Sequence, residues 1–453
     1  MFLEKESLGV LRDALEQLNE GFKDLPVYNP PVDTEALGKI LSDVAKRMQD
    51  NYPYFHPMYC GQMLKPPHPI ARLAYALALW INPNNHALDG GRASSAMEKE
   101  AVAEIAKMFG WDIHLGHLCS GGTMANLEAL WVSGRLSPGK KVVASDQAHY
   151  THERICRVLG LPFDFVPCES RGRMDPDALR VLLDKGDIGT VVVTMGTTAT
   201  GSVDPLLEIL KLRPRHDFRI HADAAYGGFF KLVENLDQET LSAFECIHEV
   251  DSIVVDPHKH GLQPYGCGCV LFKDPAVGQF YKHDSPYTYF SSKDLHLGEI
   301  SLECSRPGAS AVALWATQRL LPLVPNGTFA GDLAKSRNAA KKLFEMIQND
   351  PRFMPVMAPE LDILVWVPKA ESAGRISSLS QAIFVEAAAR NLHLAVANLP
   401  ASLFIEGWKD VTWDQENVAC LRSCLMKPEH LDWIERIWEV LDKTTDRVLK
   451  IGQ

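Results

Sequence analysis

A lysine at the end of a strongly apolar segment is the first residue in this sequence that suggests chemistry. The run IVV at 253–255 is typical of a buried strand, and the segment DPHKH directly after it carries Lys259. Lysine is rarely buried, because an apolar environment disfavours an ammonium group. A lysine held at such a position can react as the neutral amine, for example with an aldehyde. His258 and His260 flank it, and a positive charge on either ring would disfavour the ammonium further.

Three other loops place polar residues where strands are predicted to end. The segment SGGTMAN, 120–126, joins a predicted strand to a predicted helix, so its backbone N–H groups could bind a phosphate, although Thr123 could simply cap the helix. His149 follows the strand KVVAS and could stack on an aromatic ligand or serve a structural role. Asp223 follows the strand FRIHA among small apolar residues, where a carboxylate is costly unless a cation faces it, but an ordinary turn aspartate is the alternative.

These four features, taken in chain order, describe a site for pyridoxal phosphate. A phosphate-binding loop, a stacking imidazole, a buried carboxylate and a lysine at a strand end are the groups that this cofactor needs. The lysine would form a Schiff base with the aldehyde, and Asp223 would pair with the protonated pyridine nitrogen.

The elements that must position these residues alternate along the chain. From about residue 95 to 315, short apolar runs such as TVVVTM and SIVVD alternate with helical patterns, which predicts an α/β fold with a mainly parallel sheet covered on both faces. Ligands of such sheets lie beyond the carboxyl ends of the strands, which is where the polar residues cluster. After about residue 320, the strands DILVWVP and ACLRSCLM and a closing helix predict a smaller α+β domain.

The length of 453 residues and an apolar content of 46% are sufficient for two or three domains. We predict an N-terminal helical arm with a pocket-lining segment over 1–94, a large domain over 95–320 and a small C-terminal domain over 321–453. Apolar residues recur at helical spacing twice in the arm, which therefore needs another surface, in this chain or another, to pack against. The residues are Leu8, Leu11, Leu15, Leu18 and Phe22, then Leu37, Leu41, Val44 and Met48.

Charge and cysteine content exclude several classes of function. A net charge of −11 and a pI near 5.8 argue against a nucleic-acid-binding protein. No apolar run is long enough to predict a membrane span, and the N-terminal segment does not resemble a secretory signal, so we expect a cytoplasmic protein. The ten cysteines lack the spacing of a zinc site, so no metal is expected and reduced thiols are favoured.

The segments SGGTMANLEAL, SDQAHYTHER, HADAAYGG and SIVVDPHKHG together resemble the group II pyridoxal-phosphate-dependent amino-acid decarboxylases. That family includes the glutamate, aromatic-amino-acid, histidine and archaeal tyrosine enzymes. The resemblance extends from His56-Pro57 to Leu421-Arg422. It implies fold type I, with a seven-stranded type of sheet, and a homodimer whose active sites lie at the subunit interface. The N-terminal helices would wrap over the partner subunit.

The resemblance also implies a role for each matching residue. Lys259 and Asp223 would act as described above, and His149 would stack on the cofactor ring. All cofactor contacts would come from Gly122, Thr123, His149, Thr197, Asp223, Ala225, His258 and Lys259. Arg422 would bind the substrate carboxylate and so orient the bond that breaks, while the substrate pocket would include His56, Tyr59 and Gln62.

One loop departs from the family pattern. Many members carry a mobile-loop tyrosine that protonates the intermediate left after decarboxylation, but here the loop at 282–308 is shorter and Leu295 lies at the corresponding spacing. The proton donor could be His296 or a loop tyrosine, Tyr287 or Tyr289. If the step is altered, an oxidative route to an aldehyde becomes possible.

The predicted activity is therefore α-decarboxylation of an L-amino acid to an amine and CO2. Tyr59 and the loop tyrosines favour an aromatic substrate, while Gln62 leaves an acidic substrate such as glutamate or aspartate open. Another fold-type-I lyase, an aminotransferase-like enzyme and a non-catalytic cofactor-binding dimer are the alternatives from other classes.

Overall fold

The computed structural model of the chain describes residues 5–282, 296–404 and 407–451. Its α-helices are α1 Lys5–Glu20, α2 Thr34–Met48, α3 Pro69–Leu79, α4 Arg92–Met108, α5 Gly122–Leu136, α6 Thr151–Leu159, α7 Pro176–Leu183, α8 Leu206–Leu210, α9 Gln238–Glu245, α10 Gly308–Leu320, α11 Thr328–Asn349, α12 Ala373–Ala388 and α13 His430–Ile451. Its strands are β1 Leu115–Cys119, β2 Lys141–Ser145, β3 Phe163–Val166, β4 Ile188–Thr194, β5 Arg219–Asp223, β6 Ser252–Val255, β7 Gly268–Phe272, β8 Phe353–Pro355, β9 Ile363–Pro368, β10 Ala395–Pro400 and β11 Asn417–Cys424.

The large sheet has seven strands in the order β1-β7-β6-β5-β4-β2-β3. The five strands from β6 to β3 run parallel to one another, whereas β7 is antiparallel to both of its neighbours. Every residue of β4 and of β6 is buried, as expected for strands that helices cover on both faces. The predicted α/β fold with a mainly parallel sheet is confirmed. The antiparallel β7 lets the chain turn back directly after the segment that carries Lys259.

The small sheet has four antiparallel strands in the order β10-β11-β9-β8. Helices α11, α12 and α13 pack on it, and the ring of Trp366 is completely buried between these layers. Arg422 lies near the end of β11, opposite Val365 of β9 and Ala395 of β10. The predicted smaller C-terminal sheet domain is confirmed.

The segment that leads into β9 joins the small sheet to the large one through buried charged groups. Glu360 Oε1 accepts a hydrogen bond of 2.7 Å from Arg173, and its Oε2 accepts one of 2.9 Å from the backbone N–H of Val203. Asp362 Oδ1 accepts a hydrogen bond of 2.6 Å from the hydroxyl of Tyr226. A buried carboxylate that loses such a donor is strongly destabilised, so these contacts fix the position of the small domain beside the carboxyl ends of the strands.

The N-terminal helices lie on the outside of this body. Helix α2 has no buried residue, and Leu37, Ile40 and Leu41 are each more than half exposed. Asp33 caps this helix by accepting a hydrogen bond of 2.9 Å from the N–H of Ala36. The helix is thus locally well formed but has an unburied apolar face. In the described part of the chain, no helix combines the length and the apolarity that crossing a membrane requires.

Candidate active site

A cavity of about 380 Å³ lies beyond the carboxyl ends of the parallel strands. It is formed by the loops that follow β1, β2, β4, β5 and β6, which is where the sequence places its polar segments. The predicted residues among its lining are Gly122, Thr123, His149, Asp223, Ala225, His258 and Lys259. The fold therefore brings together seven residues that are spread over the chain from residue 122 to residue 259.

Lys259 follows β6 in a tight turn and faces a carboxylate from the same turn. Its Nζ lies 3.1 Å from Oδ2 of Asp256, which is 2% exposed. Oδ1 of Asp256 has no hydrogen-bond partner among the described residues, so this buried acid can accept a further donor. Asp256 belongs to the segment DPHKH but was not predicted as a site residue. Its proximity to Lys259 supplies a negative charge that stabilises a positive charge on that nitrogen.

Asp223 is the most densely contacted acid of the cavity. Its Oδ2 accepts a hydrogen bond of 2.8 Å from Nε2 of His152, and its Oδ1 accepts one of 3.1 Å from the N–H of Ala225. Burial alone would raise the pKa of Asp223, but the hydrogen bond and charge of His152 and the charge of Lys259 outweigh it and hold the pKa well below its usual range. Asp223 is therefore an ionised carboxylate in a site with almost no exposure to water.

A chain of hydrogen bonds supports Asp223 from behind. Asn126 Nδ2 donates to Asp223 Oδ2 over 3.4 Å, and Asn126 Oδ1 accepts from Nε2 of His221 over 2.8 Å. Burial lowers the pKa of His221 to about 3, so this ring is neutral. A neutral ring that donates from Nε2 must accept at Nδ1, where the hydroxyl of Ser252 lies 2.9 Å away. The chain thus orients each member without adding a second charge near Asp223.

His152 is a residue of the site that the sequence analysis missed. It lies three positions after His149, at the start of α6, and its side chain is 1% exposed. The second histidine of SDQAHYTHER, so close to the predicted His149, was the signal that could have identified it. His149 itself lines the cavity, with its Nδ1 2.7 Å from the hydroxyl of Thr151. Burial lowers the pKa of His149, which favours a neutral, flat ring.

The end of the cavity at the N-terminus of α5 is suited to an anion. The backbone of Ser120, Gly121, Gly122 and Thr123 lines it at the point where α5 begins. Gly268 of β7 must be glycine, because a Cβ there would lie 2.6 Å from the backbone of Gly121. A Cβ on Gly122 would lie 2.7 Å from Oδ2 of Asp256. The loop is therefore packed so closely that its N–H groups can approach a ligand.

The arrangement fits pyridoxal phosphate group by group. An ionised, buried Asp223 matches a protonated ring nitrogen, Lys259 matches the aldehyde, and the loop before α5 matches the phosphate. The volume of about 380 Å³ falls in the usual range of about 300 to 1,000 Å³ for small-molecule sites.

Thr197 and Arg422 lie close to the cavity without lining it. Thr197 is completely buried, and its hydroxyl lies 2.7 Å from that of Thr200, while its neighbours Gly196 and Thr198 line the cavity. Arg422 is 5% exposed, and its Nε donates a hydrogen bond of 3.1 Å to the carbonyl of Ala199. Its Nη2 has no hydrogen-bond partner among the described residues and so remains available to a ligand.

The remaining predicted residues lie elsewhere. His56 lines a second cavity, Tyr59 is 4% exposed beside His393, and Gln62 is exposed. His296 is 1% exposed and accepts a hydrogen bond of 3.3 Å at Nδ1 from the N–H of Leu88, and it does not line the first cavity. Tyr287, Tyr289 and Leu295 lie outside the described residues.

Comparison with known proteins agrees with this site. Residues 124–367 match the family model described as the pyridoxal-dependent decarboxylase conserved domain. The chain is 26% identical over 475 aligned positions to an L-tyrosine decarboxylase from Enterococcus faecium, covering 80% of this chain and 77% of the relative. It is 29% identical over 262 positions to a probable L-tyrosine/L-aspartate decarboxylase from Methanothermobacter thermautotrophicus, covering 57% of this chain and 70% of the relative.

A solved structure shares the fold over nearly the whole chain. It is described as Oryza sativa TDC with PLP and tryptamine, and it aligns with a TM-score of 0.78 at 17% identity, covering 99% of both chains. The family match includes more than half of the 453 residues and three of the four predicted motifs in full. The cofactor is pyridoxal 5′-phosphate, and the chain belongs to the pyridoxal-dependent decarboxylases, carboxy-lyases that act on amino acids.

Proposed function

We propose that the enzyme removes the α-carboxylate of an aromatic L-amino acid as CO2 and releases the amine. The observation that carries the proposal is that Lys259 and an ionised Asp223 line one cavity. The names of both curated relatives reported above include tyrosine, and Tyr226 and Tyr265 line the same cavity. Aromatic walls favour an aromatic side chain because they pack against its faces and edges.

When bound, pyridoxal phosphate supplies a reactive aldehyde and an electron-accepting ring. Lys259 would hold the cofactor through its Nζ and would yield it to the substrate amine, and Asp256, 3.1 Å away, places a negative charge beside that nitrogen. Asp223 keeps a proton on the ring nitrogen, because burial strengthens the interaction of its negative charge with a cation. His152, through its hydrogen bond of 2.8 Å, is a positioning residue that keeps Asp223 ionised.

The other residues orient the reactants. His149, neutral because its pKa is lowered by burial, would stack on the cofactor ring, and Ala225 would pack against it as well. Gly122, Thr123 and His258, which line the cavity, would hold the phosphate. Arg422 binds the substrate carboxylate through its unpartnered Nη2, while its bond to the carbonyl of Ala199 fixes the guanidinium. Thr197 supports the loop at 196–198 from behind.

Proton donation after the loss of CO2 comes from the loop at 282–308. His296 is held in a buried position next to Leu88, so a donor role for His296 requires the loop to rearrange or to serve a partner subunit. A tyrosine of the loop, Tyr287 or Tyr289, is the alternative donor. If O2 oxidised the decarboxylated substrate before it was protonated, with release of ammonia and H2O2, the product would be an aldehyde in place of the amine, and product analysis separates these outcomes.

The active enzyme is a homodimer in this proposal. The apolar faces of α1 and α2 are exposed in the single chain, and the arm would bury them by packing across the partner subunit. His56, Tyr59 and Gln62, which follow the arm, would then line the substrate pocket of the assembled dimer. The ten free cysteines support a reducing, cytoplasmic compartment.

The test is a screen of the purified holoenzyme with each of the twenty amino acids, measuring CO2 and amine. We expect the largest kcat/KM for tyrosine, tryptophan or phenylalanine. A preference for aspartate or glutamate would support the acidic alternative, which the second relative's name includes. Absence of CO2 with every amino acid would contradict the proposed reaction.

A further inference from the structure

A second cavity, of about 770 Å³, lies on the far side of the segment that carries Lys259. It is bounded by the segment 65–69 with the start of α3, by α11, and by the chain from 427 to 433. His260 and Leu262, which follow Lys259, form part of its wall, and no residue lines both cavities. None of the roles proposed above for cofactor contact uses this space.

The inner end of the second cavity is positively charged. Lys427 is 4% exposed, and its Nζ donates a hydrogen bond of 2.7 Å to the carbonyl of Tyr59. Lys65 is partly buried, and its Nζ donates one of 3.2 Å to the carbonyl of Met426. Both hydrogen bonds are to neutral backbone groups, and within 5–282, 296–404 and 407–451 no carboxylate forms an ion pair with Lys65, Lys427 or Arg72.

The acids of this cavity lie at its mouth. Glu429 is exposed, and Asp332, whose side chain is 39% exposed, already pairs with Lys335 at 3.1 Å. Exposed acids are screened by water and contribute little to neutralising a buried cation. Burial lowers the pKa of Lys65 to about 8 and that of Lys427 to about 8, because it outweighs the attraction of Glu429 for both lysines and that of the buried Asp362 for Lys65. Both lysines are still largely protonated at pH 7.

The walls between the inner end and the mouth are apolar. Phe329 and Leu333 of α11 are 3% exposed, Phe55 is 43% exposed, and Trp433 of α13 completes the lining. His260 is completely buried, and its Nδ1 has no hydrogen-bond partner among the described residues. Sites for amphipathic anions combine three features: a buried cationic end, a buried donor or acceptor without a partner, and aromatic walls.

We propose that the second cavity is a binding site for an organic anion that carries a carboxylate on an apolar, aromatic-sized body. The carboxylate lies against Lys65 and Lys427, with Arg72 at the entrance, and the apolar body packs against Phe329, Leu333 and Trp433. The ligand contacts the segment next to Lys259 but not the groups that hold the cofactor. One residue of its wall, His56, is also proposed above for the substrate pocket of the dimer.

The test is isothermal titration calorimetry of the holoenzyme with 2-naphthoate, and with neutral 2-naphthamide as the matched probe. We expect a saturable isotherm for naphthoate and affinity at least about tenfold weaker for the amide, the equivalent of one charged contact of about 1.4 kcal/mol. Lys427→Met and Lys65→Met should each weaken naphthoate binding by about tenfold. The exposed Arg72→Gln, which is expected to fold normally, should weaken it several-fold.

Arg422→Met separates this site from the first cavity, where a carboxylate is also expected to bind. Binding at the second cavity predicts that this variant keeps its affinity for naphthoate within about twofold, because Arg422 does not line that cavity. Loss of binding in Arg422→Met with retention in Lys65→Met and Arg72→Gln would overturn the proposal. So would equal affinity for the amide, or no saturable binding because the arm of a partner subunit fills the space.

Discussion

The two cavities differ in how their buried charges are neutralised. In the first, each buried acid has a nitrogen of the same chain beside it: His152 lies 2.8 Å from Asp223, and Lys259 lies 3.1 Å from Asp256. In the second, Lys65 and Lys427 contact backbone carbonyls, and the acids are at the solvent-exposed mouth. A buried charge without a partner is costly, so the first cavity is stable as it stands and the second gains from an added anion.

The two arrangements serve different tasks. A cofactor with both a ring cation and a phosphate needs fixed groups of each sign, held in place before it binds, since preorganised charges need not rearrange during reaction. The supporting chain from Ser252 through His221 and Asn126 to Asp223 provides that rigidity. The second cavity has one such chain in its wall, from His260 through Asp362 at 3.2 Å to Tyr226, but the two lysines contact backbone carbonyls outside it. We therefore expect substitutions in the first cavity to change the reaction rate, and those in the second to change ligand affinity.

Lys259→Ala should have the largest effect and should separate the two cavities completely. Without the amine, the cofactor has no covalent attachment, so the visible absorbance of the lysine-bound cofactor should be lost and kcat should fall at least about 1,000-fold. Binding of 2-naphthoate should stay within about twofold of the parent enzyme. Retention of the full visible absorbance by the variant would contradict the assignment of Lys259.

Asp223→Asn should have the next largest effect. The amide has nearly the same shape but no charge to hold a proton on the ring nitrogen, so kcat should fall by about 100-fold, a loss typical of removing one electrostatic partner in a buried site. Steady-state kinetics at saturating cofactor distinguishes this loss from weaker cofactor binding. Asp223→Glu is the matched control, because it keeps the charge, and it should retain more activity than the amide. Equal rates for the two variants would argue against an electrostatic role.

His152→Leu should lower kcat by about tenfold at pH 7, since one hydrogen bond to a charged group is worth roughly 1.5 kcal/mol. His152 lowers the pKa of Asp223, so without it that pKa rises and the carboxylate takes up a proton at a higher pH. The acid limb of the kcat profile should therefore move to higher pH. His152→Gln, which keeps a donor, should restore part of the shift. A reduced rate with an unmoved acid limb would indicate that His152 only supports packing.

The sequence predicted the first cavity much better than the second because its parts are local. Lys259, Asp223 and His149 each follow a short apolar strand, and the rule that ligands lie at the carboxyl ends of parallel strands brings them together. The fold class, the cofactor and the family were predicted correctly from the same segments. His152 was missed although it lies only three positions after His149. It becomes a partner of Asp223 only when α6 packs beside β5, and a local pattern does not predict that packing.

Features that depend on distant segments were beyond the reach of local patterns. Lys65 and Lys427 lie near opposite ends of the chain, and neither belongs to a motif. The position of Arg422 next to Ala199 depends on how the small sheet docks on the large one, which Glu360 and Asp362 determine through buried contacts with Arg173 and Tyr226. No periodicity or spacing in the sequence identified those two acids as contacts between the sheets. Their roles follow from packing alone.

The last expected effect is a pH dependence confined to the second cavity. Naphthoate affinity should fall at least about fivefold between pH 7 and 9.5, because Lys65 and Lys427, whose pKa values are lowered to about 8, lose their charge over that range. The charged or titratable groups near Lys427 are Lys65, Cys60, Cys424, Glu429, His56 and His430; Lys65 is near Asp362, Lys427, Glu429 and Asp332.

None of these neighbours reverses the expected trend. Burial raises the pKa of Cys60 to about 12 and that of Cys424 to about 11, so both thiols stay neutral, and burial lowers the pKa of His56 and that of His430, so both rings are neutral over this range. Without ligand, the unfolded chain binds more protons at these lysines than the folded chain does between pH 8 and about 10.5, so their contribution to the free energy of unfolding rises with pH. A bound carboxylate should cancel that rise by raising both pKa values. Naphthoate should therefore raise Tm more at pH 7 than at pH 9.5, and an equal increase at the two pH values would place its carboxylate away from the lysines.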